Sequence, residues 1–488
     1  YGSRDHPSEG VDTPLYVRCV ALKSGEGDQP ASLLLSVDTI GLPGSMTRQL
    51  AGQIADRHQT PRDRIVFCST HTHCGPDLVS ELSNIFATEL SEDEIAAGQR
   101  YRAQLQEGIL RAVDRALDEM TPASLSYAVG TASFAANRRV LTDGRWTGFG
   151  VQADGPVDHT VPVLRARGAD GEMKAVIYNY ACHCTTLGGD HYRINAEWAG
   201  YASESLEAEY PGCIAVCTIG CGADANPNPR GTLDATKLHG RTLAAEVKRV
   251  VSDDMQPIDA PLTARFDYAG LSFELPTAEE LKQREKDPGQ TPQARRHAKQ
   301  LLEVYQNEGR LPATYPVPIQ AWRFGDQLTM VFLGGEVVVD YAIRLKQTLN
   351  DSDLWVTAYA NDVLGYIASE RMRTEGGYEF DRSGVYYGLP GPWAAGTEDF
   401  LIQRVGELIA SRGRSQPLAA AAAVESFRLS DRLRIDLVAS EPLVQDPINV
   451  AFGGDGRLWV VEMGDYPLGE NGGRVKVLAD NDGDGVYD

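Results

Sequence analysis

No stretch of the chain approaches the roughly 18–20 consecutive apolar residues that a membrane-spanning helix needs. The most apolar run, Leu418 to Val424, is mostly alanine. A basic run is missing too. With 46 Lys+Arg against 68 Asp+Glu and a formal net charge of −22, the chain lacks the clustered cations that neutralise phosphates, so neither nucleic acid nor an anionic membrane is an expected partner. Cysteine is absent from everything beyond Cys221. Cys19, Cys68, Cys74, Cys182, Cys184, Cys213, Cys217 and Cys221 all lie before that point, a clustering compatible with disulfides of an exported protein, a metal site or buried thiols. What is present is 488 residues, 42% apolar and 23% charged, which excludes disorder and suits a soluble chain of several domains. The sequence opens on Tyr1 and closes at Asp488 inside a Gly/Asp-rich stretch, so both ends are expected to be cut points with any signal peptide outside them.

Hydrophobic patterning predicts a βαβ rhythm over strand 31–40, helix 46–58 and strand 64–68, then a long amphipathic helix over 92–120. Strands follow at 124–129, 160–165 and 174–181, a helix at 198–210, a strand at 213–218, a glycine-rich loop at 220–231 and a helix at 233–251. Residues 276–309 read as a charged helical surface excursion broken by Pro288-Gly289. Strands 319–324 and 328–333, helix 337–349, strand 354–359, an aromatic-rich loop segment and helix 397–412 complete the expected first domain. The predicted fold class is α/β: a layered mixed β-sheet catalytic domain with flanking helices over 1–414. A linker is expected at 415–426, and residues 427–488 read as the incomplete start of an all-β, propeller-like piece.

Four stretches can carry chemistry. Thr70-His71-Thr72-His73-Cys74-Gly75-Pro76 follows a predicted strand and presents two imidazoles, one able to bind a metal while the other serves a substrate. His183, in Ala181-Cys182-His183-Cys184, ends another apolar strand. Its cysteine neighbours fall on the opposite face, which makes a shared cluster awkward. Gly220-Cys221-Gly222-Ala223-Asp224-Ala225-Asn226-Pro227-Asn228 is a small-residue loop whose backbone N–H groups can approach a ligand, with Asp224 and Asn226 adding polar contacts. Glu336, in Gly334-Gly335-Glu336, is an acid directly after an apolar strand and at a helix start. Taken alone, each of these has a bland reading as loop histidines, a tight turn or helix-end charge.

In this order the blocks resemble the catalytic domain of the neutral/alkaline non-lysosomal ceramidases, zinc amidases with a T-H-T-H-S-G-P signature; the resemblance spans residues 1 to about 414. It implies that His71, His183, Glu336 and Tyr366, the last in Asn361-Asp362-Val363-Leu364-Gly365-Tyr366, bind one zinc ion. It implies further that Arg138, in Asn137-Arg138, faces the substrate, and Gly200-Tyr201-Ala202-Ser203 repeats a family helix. The chain departs from the family twice: Asn226 stands where the active-site serine belongs, and Cys74 replaces the serine of the histidine block. Two imidazoles, a carboxylate and a phenol oxygen leave zinc room for a water that attacks an N-acyl amide or ester carbonyl. In that scheme His73 shuttles the proton, Arg138 or Tyr366 stabilises the oxyanion, and Asn226, with Asp224 beside it, orients the reacting groups. Alternatives are a hydrolase of another polar substrate such as a glycoside, or a metal-containing binding module without turnover.

The tail, Asp480-Asn481-Asp482-Gly483-Asp484-Gly485-Val486-Tyr487-Asp488, follows a calcium-loop spacing with Asp480, Asp482, Asp484 and Asp488 as oxygen donors. It resembles the opening of propeller-type dehydrogenase-like modules of large exported bacterial proteins. Calcium loop and exported module together imply an extracytoplasmic setting. The expected partner is a small-molecule or lipid-like N-acyl substrate.

Overall fold

The computed structural model describes residues 4–25, 29–78, 84–86, 89–410, 420, 424, 434–440, 443–445, 447–463, 473–483 and 485–487. The chain divides into two compact units, Tyr1–Ala410 and Ser411–Asp488. The linker expected at 415–426 lies outside the described residues except for Ala420 and Val424.

Three strand–helix–strand units organise the first part, and each pairs its strands in parallel. Ser32–Val37 and Ile65–Ser69 flank the helix Gly44–His58, with Leu35 opposite Phe67. Met173–Tyr180 and Ile214–Ile219 flank the helix Glu197–Glu209, with Val176 opposite Ala215. Leu328–Leu333 and Trp355–Thr357 flank the helix Val339–Thr348, with Val331 opposite Val356. The strands are almost wholly buried, which is why they read as continuous apolar runs rather than alternating ones. Antiparallel strands widen each sheet. Val17–Leu22 joins the first; Thr160–Gly168, Ala123–Thr131 and Gln256–Ile258 join the second; Thr314–Phe324 and Leu262–Ser272 join the third.

The fold class is thus the layered mixed α/β arrangement expected. The helix Glu92–Asp118 starts on a capping box, Ser91 with Glu94, and buries Leu105, Ile109 and Val113. Residues 276–309 form two capped helices, Ala278–Lys286 and Pro292–Glu308, which enclose a small core of Leu281, Ala298, Leu301 and Leu302. Strand Thr314–Phe324 begins five residues before its expected start because Pro316 and Pro318 mask its first half. Those prolines sit where the strand is paired only with Leu262–Ser272, since Leu328–Leu333 engages it from Ile319 onward. In the second unit, Pro447–Phe452, Leu458–Met463 and Gly473–Leu478 form an antiparallel meander that buries Leu458, Val460 and Leu478 with Val444.

The three sheets meet where their parallel strands end. Ser69 N–H donates to Tyr359 O at 3.1 Å and Ala358 N–H to Ile219 O at 2.9 Å, and an isolated bridge pairs Gly220 with Thr357. Close packing there excludes a side chain at Gly222, where a Cβ would lie 2.3 Å from the carbonyl carbon of Ala181. Gly222→Ala is therefore expected to destabilise the fold by about 1–3 kcal/mol through forced backbone displacement. Gly406→Ala, in an open position of the helix Thr397–Ala410, is expected to stabilise it by about 0.5–1 kcal/mol. Urea unfolding of the two variants checks the opposite signs.

Candidate metal centre

In a sheet with parallel strands, ligands bind beyond the carboxyl ends of the strands, where loops diverge. His71 follows Ile65–Ser69, His183 follows Met173–Tyr180, Glu336 follows Leu328–Leu333, and Tyr359 follows Trp355–Thr357. Backbone strain is concentrated at the same place: His71, Tyr359 and Asn361 hold left-handed φ values of 59°, 54° and 64°. Gly335, at φ 88°, turns the chain so that Glu336 pairs with Tyr366 across a short parallel ladder; a Cβ on it would lie 2.8 Å from the Ile367 side chain.

Two backbone carbonyls orient the imidazoles. His71 Nδ1 lies 2.5 Å from Ile40 O, and His183 Nδ1 lies 3.0 Å from Gly222 O. A carbonyl oxygen only accepts, so each Nδ1 carries a hydrogen and each ring turns its Nε2 edge inward. Both edges face one atom. Glu336 Oε2 stands 3.0 Å from His71 Nε2 and 3.1 Å from His183 Nε2. Tyr366 Oη lies 3.2 Å from His183 Nε2, and His73 Nε2 lies 3.1 Å from His71 Nε2. The nitrogens of His71, His73 and His183 fall within 4.8 Å of one another, the one such group of possible metal donors among the described residues.

The protonation states suit a cation. Burial pushes Glu336 up, but the His71 and His183 rings more than offset it and hold the carboxyl well below its ordinary range. Burial, with the Arg138 charge second, lowers His183 to about 4, and burial with His71 lowers His73 well below its usual value. Glu336 is therefore an anion, with His183 and His73 neutral beside it at pH 7. Those are the deprotonated forms in which these groups bind a divalent ion, and the donor set fits zinc.

The remaining predicted residues form a wall beside this cluster. Arg138 is carried by the strand pair that sets Ala136 opposite Asn226, and donates to Tyr366 Oη at 3.0 Å, Asn226 Oδ1 at 3.4 Å and Glu379 Oε1 at 2.9 Å. Burial works against the guanidinium charge, yet Tyr366 and Glu379 keep its pKa well above the usual value. Asn226 Oδ1 also accepts from Thr185 Oγ1 at 3.1 Å. Asp224 is placed differently. Its carboxylate accepts from Val339 N at 2.9 Å and Asn137 Nδ2 at 3.0 Å, so it ties the loop to the start of a helix. Burial raises it to about 6.

In the second unit Asp480 accepts from Gly483 N at 2.7 Å and Gly485 N at 3.0 Å, and Asp482 is described nearby, whereas Asp484 and Asp488 lie outside the described residues. All eight cysteines are free thiols, and seven are buried.

Sequence reasoning did not reach Tyr387, Glu379 or Tyr359. Tyr387 Oη donates to Glu336 Oε1. Glu379 is wholly buried between Arg138 and Arg139. Tyr359 packs its ring 4.4 Å from that of His71 and keeps its hydroxyl buried with no hydrogen-bond partner among the described residues. A tyrosine or acid in a polar, aromatic segment carries no local signal of such a partner. Cavity size does not locate the site either. A groove of about 790 Å³ runs along Val17–Leu22, away from every candidate residue, while a smaller one of about 250 Å³ borders Tyr366 and Glu379.

Comparison with known proteins gives the class first. The fold is shared with solved ceramidases: a structure described as "Ceramidase complexed with C2" superposes with a TM-score of 0.61 at 15% identity, over 91% of this chain and 78% of that one. The neutral ceramidase of Pseudomonas aeruginosa superposes with a TM-score of 0.59 at 16% identity, over 91% and 77%. In sequence, residues 1–216 match the family profile described as "Neutral/alkaline non-lysosomal ceramidase, N-terminal", and residues 419–488 match "Domain of unknown function (DUF7133)". The curated neutral ceramidase of Pseudomonas aeruginosa is 26% identical over 145 residues, a match that spans 30% of this chain and only 21% of that protein's length. Over residues 1–216 the chain is thus similar to the neutral/alkaline ceramidases, the family its motifs resemble.

Glu379 is the anchor of the wall. Glu379→Ala would leave two buried guanidinium groups short of a counter-charge and is expected to cost about 3–5 kcal/mol in chemical unfolding.

Proposed function

We propose that this chain is a zinc-dependent hydrolase of N-acyl amides, or esters, that works without a serine nucleophile. The observation that carries this reading is the convergence of two imidazole lone pairs and a carboxylate oxygen at 3.0 and 3.1 Å, an all-acceptor arrangement that a cation relieves. His71, His183, Glu336 and Tyr366 would hold the zinc ion, which would supply Lewis-acid polarisation of a carbonyl and lower the pKa of a bound water to near neutrality.

The protein's own groups supply the rest. Hydrolysis adds a water oxygen to the acyl carbon and a proton to the departing nitrogen or oxygen, so one side chain has to carry that proton. His73, half-buried and 3.1 Å from His71, fills this role at the open edge of the donors. Arg138 keeps its charge while buried and holds Tyr366 Oη, so the guanidinium and the phenol face the growing oxyanion together. Asn226 accepts from Arg138 and Thr185 through Oδ1, which leaves its amide N–H₂ as the donor toward substrate. That is a positioning contact in place of the serine hydroxyl. An N-acyl lipid-like molecule is the substrate class. Calcium at the loop that begins at Asp480 and an extracytoplasmic setting belong to the same proposal.

Purified protein is expected to contain about one zinc per chain by elemental analysis and to hydrolyse members of a fluorogenic N-acyl panel. His183→Ala should lose the metal and the activity together; Asn226→Ser should keep the metal and change rate or substrate choice. Zinc occupancy in His183→Ala equal to the parent's would overturn the ligand set, and turnover of glycosides alone would overturn the amidase reading.

A further inference from the structure

Glu336 has two oxygens, and the fold treats them differently. Oε2 faces His71 and His183, while Oε1 accepts a hydrogen bond from Tyr387 Oη. The phenol is seated for this by the backbone. Glu336 N–H donates to Gly365 O at 2.8 Å, and Gly365, at φ 135°, has no side chain where a Cβ would lie 3.3 Å from Tyr387 Cγ. Thus Glu336 is fixed to Gly365 through its main chain, the Tyr387 ring lies against Gly365, and its hydroxyl returns to the Glu336 carboxylate. Tyr387 ends the short helix Gly384–Tyr387, and Gly388, at φ 69°, closes it. Glu379, which grips Arg138 and Arg139, lies just upstream on the same segment.

A carboxylate can meet a metal through one oxygen or both, and the choice changes the number of positions left for water or substrate. A phenol hydrogen bond to Oε1 occupies one of that oxygen's lone pairs and holds the carboxylate plane, as outer partners of metal ligands do elsewhere. We propose that Tyr387 is a positioning residue that confines Glu336 to one-oxygen ligation and so keeps a position open at the ion for water or substrate. This rests on the metal reading above. It assigns Tyr387 no contact with substrate.

Zinc and cobalt binding to the full chain tests the assignment, with the parent, Tyr387→Phe and Tyr386→Phe compared by chelator competition and by the visible spectrum of the cobalt form. Phenylalanine removes one oxygen and keeps the ring against Gly365. Tyr387→Phe is expected to bind zinc about 10–100-fold more weakly and to show a weaker visible cobalt band, as a second carboxylate oxygen enters the coordination sphere. Tyr386→Phe should match the parent in both. Parent-like zinc affinity with a parent-like cobalt spectrum in Tyr387→Phe overturns this inference alone, whereas a parent that takes up neither ion overturns the metal reading beneath it. Should Tyr387→Phe fail to fold, a crystal structure of the zinc-loaded parent decides. One Glu336 oxygen on the ion and the other on Tyr387 supports the proposal; both oxygens on the ion defeats it.

Discussion

Two imidazole lone pairs aimed at one carboxylate oxygen are the constraint around which the first unit is arranged. A carboxylate and two imidazoles packed in a buried place lose their hydration, so the backbone has to hold them there. It does so through the carbonyls of Ile40 and Gly222, which hold the N–H side of each ring, and through the ladder that sets Glu336 beside Tyr366. Positive φ values at His71, Tyr359 and Asn361 are the conformational cost of that arrangement. Three strand–helix–strand units each deliver a donor from a strand end, and the hydrogen bonds of residues 357–360 join the sheets at the same point.

Around this negative cluster stands a positive wall. Arg138 and Arg139 are both buried, which is tolerable only because Glu379 and Glu375 pair with them and aromatic rings of Phe149, Tyr366 and Tyr378 surround the Arg138 guanidinium. Segment 375–393 thereby has two attachments to the centre. Its acids hold the arginines, and its Tyr387 holds the Glu336 carboxylate. Asn226 belongs to this frame, since its amide oxygen takes up the bonds of Arg138 and Thr185.

The strand-end histidines and Glu336 were legible because a polar donor directly after a buried apolar strand has few structural reasons to be there. The helices were legible from apolar spacing and caps; Ser91 with Glu94 and Thr277 with Glu280 start two of them. Other features were hidden for identifiable reasons. Prolines concealed half of Thr314–Phe324, and Asp267 and Gly270 interrupt the apolar pattern of Leu262–Ser272. Asp224 looked like a reacting acid because it neighbours Asn226, yet its oxygens are taken by Val339 and Asn137, both remote in sequence.

By itself, the sequence determined which residue types could act and where along each segment they lie, because strand periodicity and glycine-permitted turns are local properties of a few consecutive residues. It determined the βαβ succession and the positions of His71, His183 and Glu336 after their strands. Only the tertiary structure decided that these donors share one center, that Tyr387 faces the spare oxygen of Glu336 and that Asp224 turns to a helix start. Those relations join residues from 51 to 265 positions apart. Contacts across such separations are set by how sheets stack and strands register, which no short window of the chain contains.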